Sequence, residues 1–255
     1  LRAANGTNLS DVLINVYEVD NNKTIAQFTN IKEDEYTKVF LTELWGSQNT
    51  FDLGVLGGSL EFEHIIDPTL LAPGTRSGML VYGIGTANNP TYRMWNGTEF
   101  NGIQNASNVG GVIEWVRVKE NPVKNEYILV TADAGDDINV QINSTLANGT
   151  SCWHNGTACG ITFELEAAST TINRLKSDVA YEQLSGDALV VFSDNTITPK
   201  YRTWDGSDWS SEQSVTTNIT GATAVSYVKM AEHPHMDEIA LIMTNTTDMD
   251  ISIWN

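Results

Sequence analysis

The amino-acid sequence predicts an all-β fold, a propeller-like array of about five repeats of roughly 50 residues with four short antiparallel strands each. Three observations support this prediction. The phrase "YRMWNGTEF" at residues 92–100 returns as "YRTWDGSDW" at residues 201–209. Apolar residues around both phrases alternate or run continuously over strand lengths, and no long segment has the 3.6-residue apolar period of a helix.

The repetition extends well beyond this phrase. Residues 78–100 align with residues 187–209, and residues 112–142 align with residues 224–254. A unit of about 110 residues therefore occurs twice, and such self-similarity is the sequence signature of repeat architectures.

Each long unit divides again at a tryptophan that Gly or Asn follows within two positions. Successive tryptophans of this kind are 50, 58, 51 and 50 residues apart, and the longest spacing contains the insertion "LANGTSC". The members are Trp45, Trp95, Trp153, Trp204 and Trp254. We expect these rings to pack between neighbouring sheets, while the Asn/Asp-Gly pairs form hairpin turns because both residues tolerate positive φ. The alternative is that they stack on sugars.

Within one repeat the pattern is strand, turn, strand. "SYVKMAEHP" alternates, "DEIALIMTN" is a continuous apolar run typical of a strand buried on both faces, and "DISIW" follows a polar turn. The predicted repeats span residues 60–110, 111–165, 166–220 and 221–255. Residues 1–59 are predicted to form a divergent first blade or a docking segment.

The last repeat is predicted to be incomplete, because "DISIWN" corresponds to the middle of the motif. An unfinished blade has an open strand edge, and open edges favour strand addition. The missing strand is expected from the N-terminal segment, from a neighbouring subunit or from sequence beyond this chain.

The charge balance excludes nucleic acids as partners. The chain of 255 residues has 32 acidic and 14 basic side chains, a formal net charge of −18. Such a field repels nucleic-acid phosphates and anionic membrane surfaces. No apolar run approaches the length of a membrane-spanning helix, so we expect no membrane span.

Asparagine-linked glycosylation sequons are more frequent than composition explains. With 24 Asn and 45 Ser plus Thr, random order would give about four sequons, whereas the chain has ten. They begin at Asn5, Asn8, Asn22, Asn96, Asn105, Asn143, Asn148, Asn155, Asn218 and Asn245. We therefore expect a secreted or cell-surface glycoprotein. The alternative is that Asn-Gly-Thr is simply the turn that the repeat favours.

The two cysteines, Cys152 and Cys159, lie in the short segment "SCWHNGTAC". Their spacing predicts a disulfide in an oxidising compartment. Two unrelated thiols are the alternative.

Several segments resemble a known group of proteins. "DVAYEQLSGDALVVFSD", "YRTWDGSDW" and "EIALIMTNTTDMDISIWN" are similar to the degenerate propeller-type β repeats of large archaeal and bacterial surface proteins. The resemblance covers about residues 60–255 and implies a fold and an extracellular setting. It carries no catalytic residues.

Candidate sites are few. Asp133, Asp136 and Asp137 in "TADAGDDIN" are a candidate calcium site, because Ca²⁺ prefers several carboxylate and carbonyl oxygens on one tight loop. Solvated hairpin tips are the alternative. No nucleophile motif is present, and no carboxylate pair stands out for glycoside hydrolysis.

The sequence thus predicts a non-enzymatic extracellular structural glycoprotein that self-associates into a filament, an S-layer-like coat or an adhesive appendage. No cofactor is required, apart from the candidate Ca²⁺. A carbohydrate-binding propeller is the first alternative, and a glycan hydrolase is the second.

Overall fold

The computed structural model describes residues 14–18, 23–28, 56–65, 77–96, 99–166, 176–220 and 223–255. The chain divides into two compact units, Leu1–Leu56 and Gly57–Asn255. In the first unit, strands β1 (Ile14–Glu18) and β2 (Lys23–Phe28) form an antiparallel hairpin. Residues 29–55 of the predicted N-terminal segment lie outside the described residues.

The second unit contains four antiparallel sheets in chain order, which we call blades one to four. Blade one comprises β3 (Leu56–Ile65), β4 (Ser77–Ile84), β5 (Thr91–Trp95) and β6 (Gln104–Asn105). Blade two comprises β7 (Ile113–Glu120), β8 (Tyr127–Asp133), β9 (Ile138–Thr145), β10 (Ser151–His154) and β11 (Phe163–Glu166). Blade three comprises β12 (Ser177–Tyr181), β13 (Ala188–Phe192), β14 (Lys200–Trp204) and β15 (Gln213–Ser214). Blade four comprises β16 (Tyr227–Glu232), β17 (Ile239–Thr244) and β18 (Met249–Trp254).

Blade two departs from the simple four-strand order. Its third strand, β9, pairs with β8 along one edge and with both β10 and β11 along the other. Strand β11 occupies the place of β6 and β15, because it pairs with the third strand β9 just as β6 pairs with β5 and β15 pairs with β14. Strand β10 is therefore an inserted hairpin strand.

Three strands, β8, β12 and β13, are covered on both faces. Every residue of β8, β12 and β13 is buried. Alternate side chains of one strand enter different cores, since successive residues point to opposite faces of a sheet. On β13, Val190 packs towards blade two and Leu189 packs towards blade four.

Three separate apolar cores lie between consecutive blades. One joins blades one and two, one joins blades two and three, and one joins blades three and four. Burial between sheets is thus the repeated unit of stability, as in other stacked repeats.

A buried carboxylate links the first strands of three blades. Asp178 on β12 is fully buried and accepts a hydrogen bond from the backbone N–H of Met230 at 2.8 Å. Its oxygens lie 2.9 Å from Lys229 Nζ and 3.6 Å from Arg117 Nε. Pairing compensates for the burial of this charge, which alone would be strongly unfavourable.

The prediction of an all-β fold is confirmed. The described residues contain strands, turns and irregular segments but no helix. None of them forms a helix long and apolar enough to cross a membrane.

Candidate functional site

The repeated phrase forms one type of hairpin turn in three blades. Each turn is closed by an isolated bridge, from Trp95 to Phe100, from His154 to Cys159 and from Trp204 to Trp209. The residue after the first member of each bridge is Asn96, Asn155 or Asp205. Its side-chain oxygen accepts backbone N–H groups from residues two or three positions further along the chain. His154, rather than Trp153, therefore occupies the position that Trp95 and Trp204 occupy in the other two turns. The alignment of Trp153 to the turn motif is off by one residue.

His154 fills this position as a buried neutral ring. Its Nδ1 accepts the backbone N–H of Gly156 at 3.0 Å, so Nε2 carries the proton and donates to Ser144 Oγ at 2.9 Å. Burial lowers the pKa of His154. Gly156 has φ of 110°, and a Cβ there would lie 3.0 Å from the ring of Trp204. The close approach of this turn to blade three thus requires glycine.

Trp153 lies on the inserted strand β10, directly opposite Asn143. Asn143 pairs with the first residue of β8, just as Trp204 pairs with the first residue of β13. Asn143 thus stands where the motif tryptophan would be, and the insertion brings Trp153 beside it. This inserted hairpin explains why the spacing from Trp95 to Trp153 is the longest of the four. The predicted disulfide between Cys152 and Cys159 is confirmed and links the hairpin to the turn.

The same tyrosine–tryptophan contact occurs twice, once between blades one and two and once between blades three and four. Trp153 meets Tyr92 edge-on with ring centroids 5.6 Å apart, and Trp254 meets Tyr201 edge-on at 5.1 Å. Tyr92 and Tyr201 occupy equivalent positions on β5 and β14. The inserted hairpin therefore restores a contact that Trp254 makes from its own strand.

The tryptophans differ in exposure. Trp95, Trp153 and Trp204 are 3%, 5% and 1% exposed. Trp254 is only half-buried, and Trp45 lies outside the described residues. The burial of three rings places them in cores rather than on a sugar-binding surface.

Indole N–H groups bind carboxylates of the preceding blade. Trp204 donates to Glu126, which also accepts the Tyr181 hydroxyl at 2.9 Å. Burial, followed by the neighbouring Glu126, raises the pKa of Tyr181 well above its ordinary value. Trp254 donates to Glu182 in the same way at 3.0 Å.

A cleft of about 390 Å³ opens between blades three and four. Its lining combines the aromatic pair Tyr201 and Trp254 with hydroxyl, amide and apolar side chains. The polar members are Ser214, Thr216, Asn218 and Ser252, and the apolar members are Leu189, Val191, Val215, Leu241 and Ile253. This size and mixed lining are typical of sites for small organic ligands.

One side chain beside the cleft differs between the two interfaces. Between blades one and two, Gln141 of β9 is 1% exposed and bonds both the N–H and the carbonyl of Ser107 in the linker. Ser252 holds the equivalent position on β18, opposite the third residue of the preceding strand. Its side chain is two carbons shorter and has no amide, so the volume that Gln141 fills beside Trp153 stays open beside Trp254.

The linker over the cleft is held by carboxylates. Asp250 accepts the backbone N–H of Asn218 at 2.7 Å and the hydroxyl of Thr217 at 3.0 Å. Asp248 accepts both donors of Thr220 at 3.1 Å. The hydrogen bond from the N–H of Asn218 lowers the pKa of Asp250, and that from the N–H of Thr220 lowers the pKa of Asp248.

A smaller depression of about 200 Å³ lies at the rim between blades two and three. Trp209 and Phe163 form its aromatic part, and their ring centroids are 5.9 Å apart. Trp209 also donates to the carbonyl of Asn155. Its rings are thus engaged with each other and with the turn.

The aspartates of the candidate calcium loop have structural contacts. Asp133 is fully buried and accepts N–H groups of Gly111, Gly135 and Asp137. Burial raises the pKa of Asp133. Among the described residues no group of three His, Cys, Asp or Glu side chains is arranged to hold a metal ion. Calcium at this loop stays a prediction.

The sequons differ in accessibility. Asn96, Asn105, Asn148 and Asn218 are exposed, Asn143 and Asn155 are half-buried, and Asn5, Asn8 and Asn22 lie outside the described residues. Asn245 is buried and donates from Nδ2 to the carbonyls of Thr220 and Thr223. A glycan on Asn245 would remove one of these donors.

Blade four presents an uncovered apolar row. Met249, Ile251 and Ile253 of β18 are about 60% exposed. Their equivalents on β9 are Ile138, Val140 and Ile142, all fully buried against blade three. Within the described residues no blade covers this face of β18.

Comparison with known proteins gives the fold. No protein-family model matches the chain. No curated protein matches it either. The lectin of the fungus Aleuria aurantia, described as a six-bladed β-propeller with a novel mode of fucose recognition, superposes with a TM-score of 0.52 at 8% sequence identity. That match covers 82% of this chain and 64% of the lectin.

A mutant of the same lectin in complex with the disaccharide Fucα1-6GlcNAc gives a TM-score of 0.51, again at 8% identity, over 81% of this chain and 61% of the lectin. The chain has a β-propeller fold. It spans less than two thirds of the length of these lectins. The prediction of propeller-type repeats is confirmed, whereas the link to archaeal and bacterial surface proteins stays a prediction.

The cleft between blades three and four was missed by sequence reasoning. The aligned segments "DDINVQI" and "DMDISIW" place Gln141 over Ile253. The equivalence of Gln141 and Ser252 follows only from the strand registers. Only the packing shows that Gln141 contacts the linker at one interface, whereas Ser252 lines a cleft at the other.

Proposed function

We propose that this protein is a non-enzymatic carbohydrate-binding propeller, with a sugar-binding cleft between blades three and four. The proposal rests on one observation, the open cleft beside the aromatic pair Tyr201 and Trp254. Sugars offer apolar ring faces and many hydroxyl groups. An aromatic wall next to amide and hydroxyl side chains is complementary to both.

The lining also favours binding over hydrolysis. The residues that line the cleft include no Asp or Glu. Glycoside hydrolysis generally requires two carboxyl groups on either side of the scissile bond. The fold supports the same assignment, since the similar propeller of Aleuria aurantia is described as a lectin that recognises fucose.

The test is a glycan array probed with the wild-type protein and with the Trp254→Ala variant. We expect the wild type to bind a restricted set of glycans. The variant should bind them at least tenfold more weakly, because a central aromatic contact carries a large share of binding energy. Trp115, half-buried against Arg117 and outside the cleft, supplies the control. Trp115→Ala should keep the glycan profile, and an array without any bound glycan would contradict the proposal.

A second candidate function is subunit assembly, because the apolar row of β18 is uncovered. Met249, Ile251 and Ile253 have the spacing with which β9 binds blade three. We propose a second copy of this chain as the occupant. Antiparallel face-to-face packing of two β18 strands centred on Ile251 would place Met249 of one copy against Ile253 of the other and cover both apolar rows.

Light scattering after size-exclusion chromatography tests this second proposal. A dimer or polymer is expected for the wild type and a monomer for Ile251→Asp. A monomeric wild type across micromolar concentrations would contradict assembly through this face. The extracellular location predicted from the sequons is likewise a proposal, and the disulfide is compatible with it.

A further inference from the structure

One sequon lies at the mouth of the proposed sugar-binding cleft. Asn218 is exposed, lines the cleft and belongs to the linker that Asp250 holds over blade four. Its sequon is completed by Thr220. A sugar attached to Asn218 would therefore start at the edge of a site whose lining suits sugars.

We propose that Asn218 carries an N-linked glycan that folds into the cleft between blades three and four, so that the protein's own glycan competes with external ones. This inference rests on the proposed carbohydrate-binding function and adds a means of regulating it. Because the tethered sugar is always near, its effective concentration is high, in the millimolar range for short flexible links. A weak intrinsic affinity is then enough to occupy the cleft.

The chemistry of attachment is compatible with the contacts at this position. An oligosaccharide activated as a lipid diphosphate supplies the sugar. Its C1–O bond to phosphate breaks, the C1–Nδ2 bond forms, and Nδ2 loses one proton as the diphosphate leaves. Nδ2 keeps its second hydrogen. The backbone N–H of Asn218, which Asp250 accepts at 2.7 Å, takes no part in the attachment and keeps this hydrogen bond.

Asn245 provides a contrast within the same blade. Both hydrogens of its buried amide are used, towards the carbonyls of Thr220 and Thr223. Its side-chain oxygen accepts N–H groups of Thr247 and Asp248. Attachment of a sugar would remove one donor and require space in a buried site. The folded protein should therefore carry a glycan at Asn218 and none at Asn245.

The test uses the full chain secreted from a cell line that performs N-glycosylation. Site-resolved mass spectrometry measures occupancy at Asn218 and Asn245. Hydroxyl-radical footprinting then compares Trp254 oxidation in the glycosylated protein, in the Asn218→Gln variant and in enzymatically deglycosylated protein. The variant is needed because deglycosylation converts the linked Asn to Asp and adds a charge beside Asp250. Trp115 is the internal reference, since it is distant from the cleft lining.

We expect Asn218 to be occupied and Trp254 to be oxidised severalfold more slowly in the glycosylated protein than in the other two forms. Equal oxidation of Trp254 in all three, or an unoccupied Asn218, would overturn the inference. A glycan array with Thr220→Ala separates the two proposals, because this variant removes the sequon and leaves the cleft-lining Asn218 in place. Failure of this variant to bind any glycan counts against the cleft as a lectin site, whereas equal footprints count only against occupation by the Asn218 glycan.

Discussion

The interface between blades one and two and the interface between blades three and four share one aromatic contact and differ in what lies beside it. In the first, Trp153 packs on Tyr92 and Gln141 seals the linker. In the second, Trp254 packs on Tyr201 beside an open cleft. The same aromatic contact can therefore occur in a repeated architecture beside a filled interface or beside an open one.

The largest expected effect is a difference in stability between alanine variants of Trp153 and Trp254. Trp153→Ala should lower the free energy of unfolding by about 3–5 kcal/mol, because a fully buried ring leaves a cavity. Trp254→Ala should lower it by only about 1–2 kcal/mol, because the half-buried ring of Trp254 removes less apolar surface from water. Urea unfolding of both variants measures the difference. Equal losses would mean that the two interfaces are equally packed.

A smaller loss is expected when the sealed interface is opened. Gln141→Ser should destabilise the protein by about 1–3 kcal/mol, because the buried N–H and carbonyl of Ser107 lose their partner. The variant should also create a cleft beside Trp153 that resembles the one beside Trp254. Thermal unfolding and a crystal structure of the variant check both parts, and unchanged stability would contradict the role given to Gln141.

The pH response should also differ between the interfaces. Asp250 holds the linker of blades three and four, whereas its equivalent in blade two is the uncharged Asn139, which donates to the carbonyl of Val109. The pKa of Asp250 is lowered in the folded state, first by the N–H of Asn218. The stabilisation is therefore present above the unfolded value of about 3.9 and is lost as pH falls through the lower folded pKa.

Amide hydrogen exchange below about pH 4 tests this difference. After correction for intrinsic exchange rates, the N–H of Asn218 should lose protection before that of Val109, which bonds the carbonyl of Asn88. Asp250→Asn should abolish the pH dependence at Asn218. Loss of protection at both sites together would indicate global unfolding instead.

The fold was largely predictable from the sequence, because the Asn/Asp-Gly turns and the apolar strands follow local rules. The register at His154 was not predicted, since Trp153 offered a stronger match than the turn did. "HNGTAC" nevertheless aligns with "WNGTEF" and "WDGSDW" on the turn residues. The turn geometry depends on Asn155 and Gly156 and is indifferent to the ring that precedes them.

The candidate site was not predictable in the same way. Sequence singled out the tryptophans as a group, but three are buried, and among those that the structure describes only Trp254 lines the cleft. The distinction depends on Ser252, a residue without any motif, and on the linker that Asp250 positions. Such a site arises from what neighbouring side chains leave unfilled, and periodicity does not report it.

The most direct test of the account fills the cleft. Isothermal titration with a glycan selected on the array should be performed on the wild type, on Ser252→Gln and on Ser252→Ala. Glutamine at this position should bond the linker as Gln141 does and lower affinity more than tenfold with little change in stability, whereas alanine should bind as the wild type does. Undiminished binding by a folded Ser252→Gln variant would contradict the cleft as the sugar site.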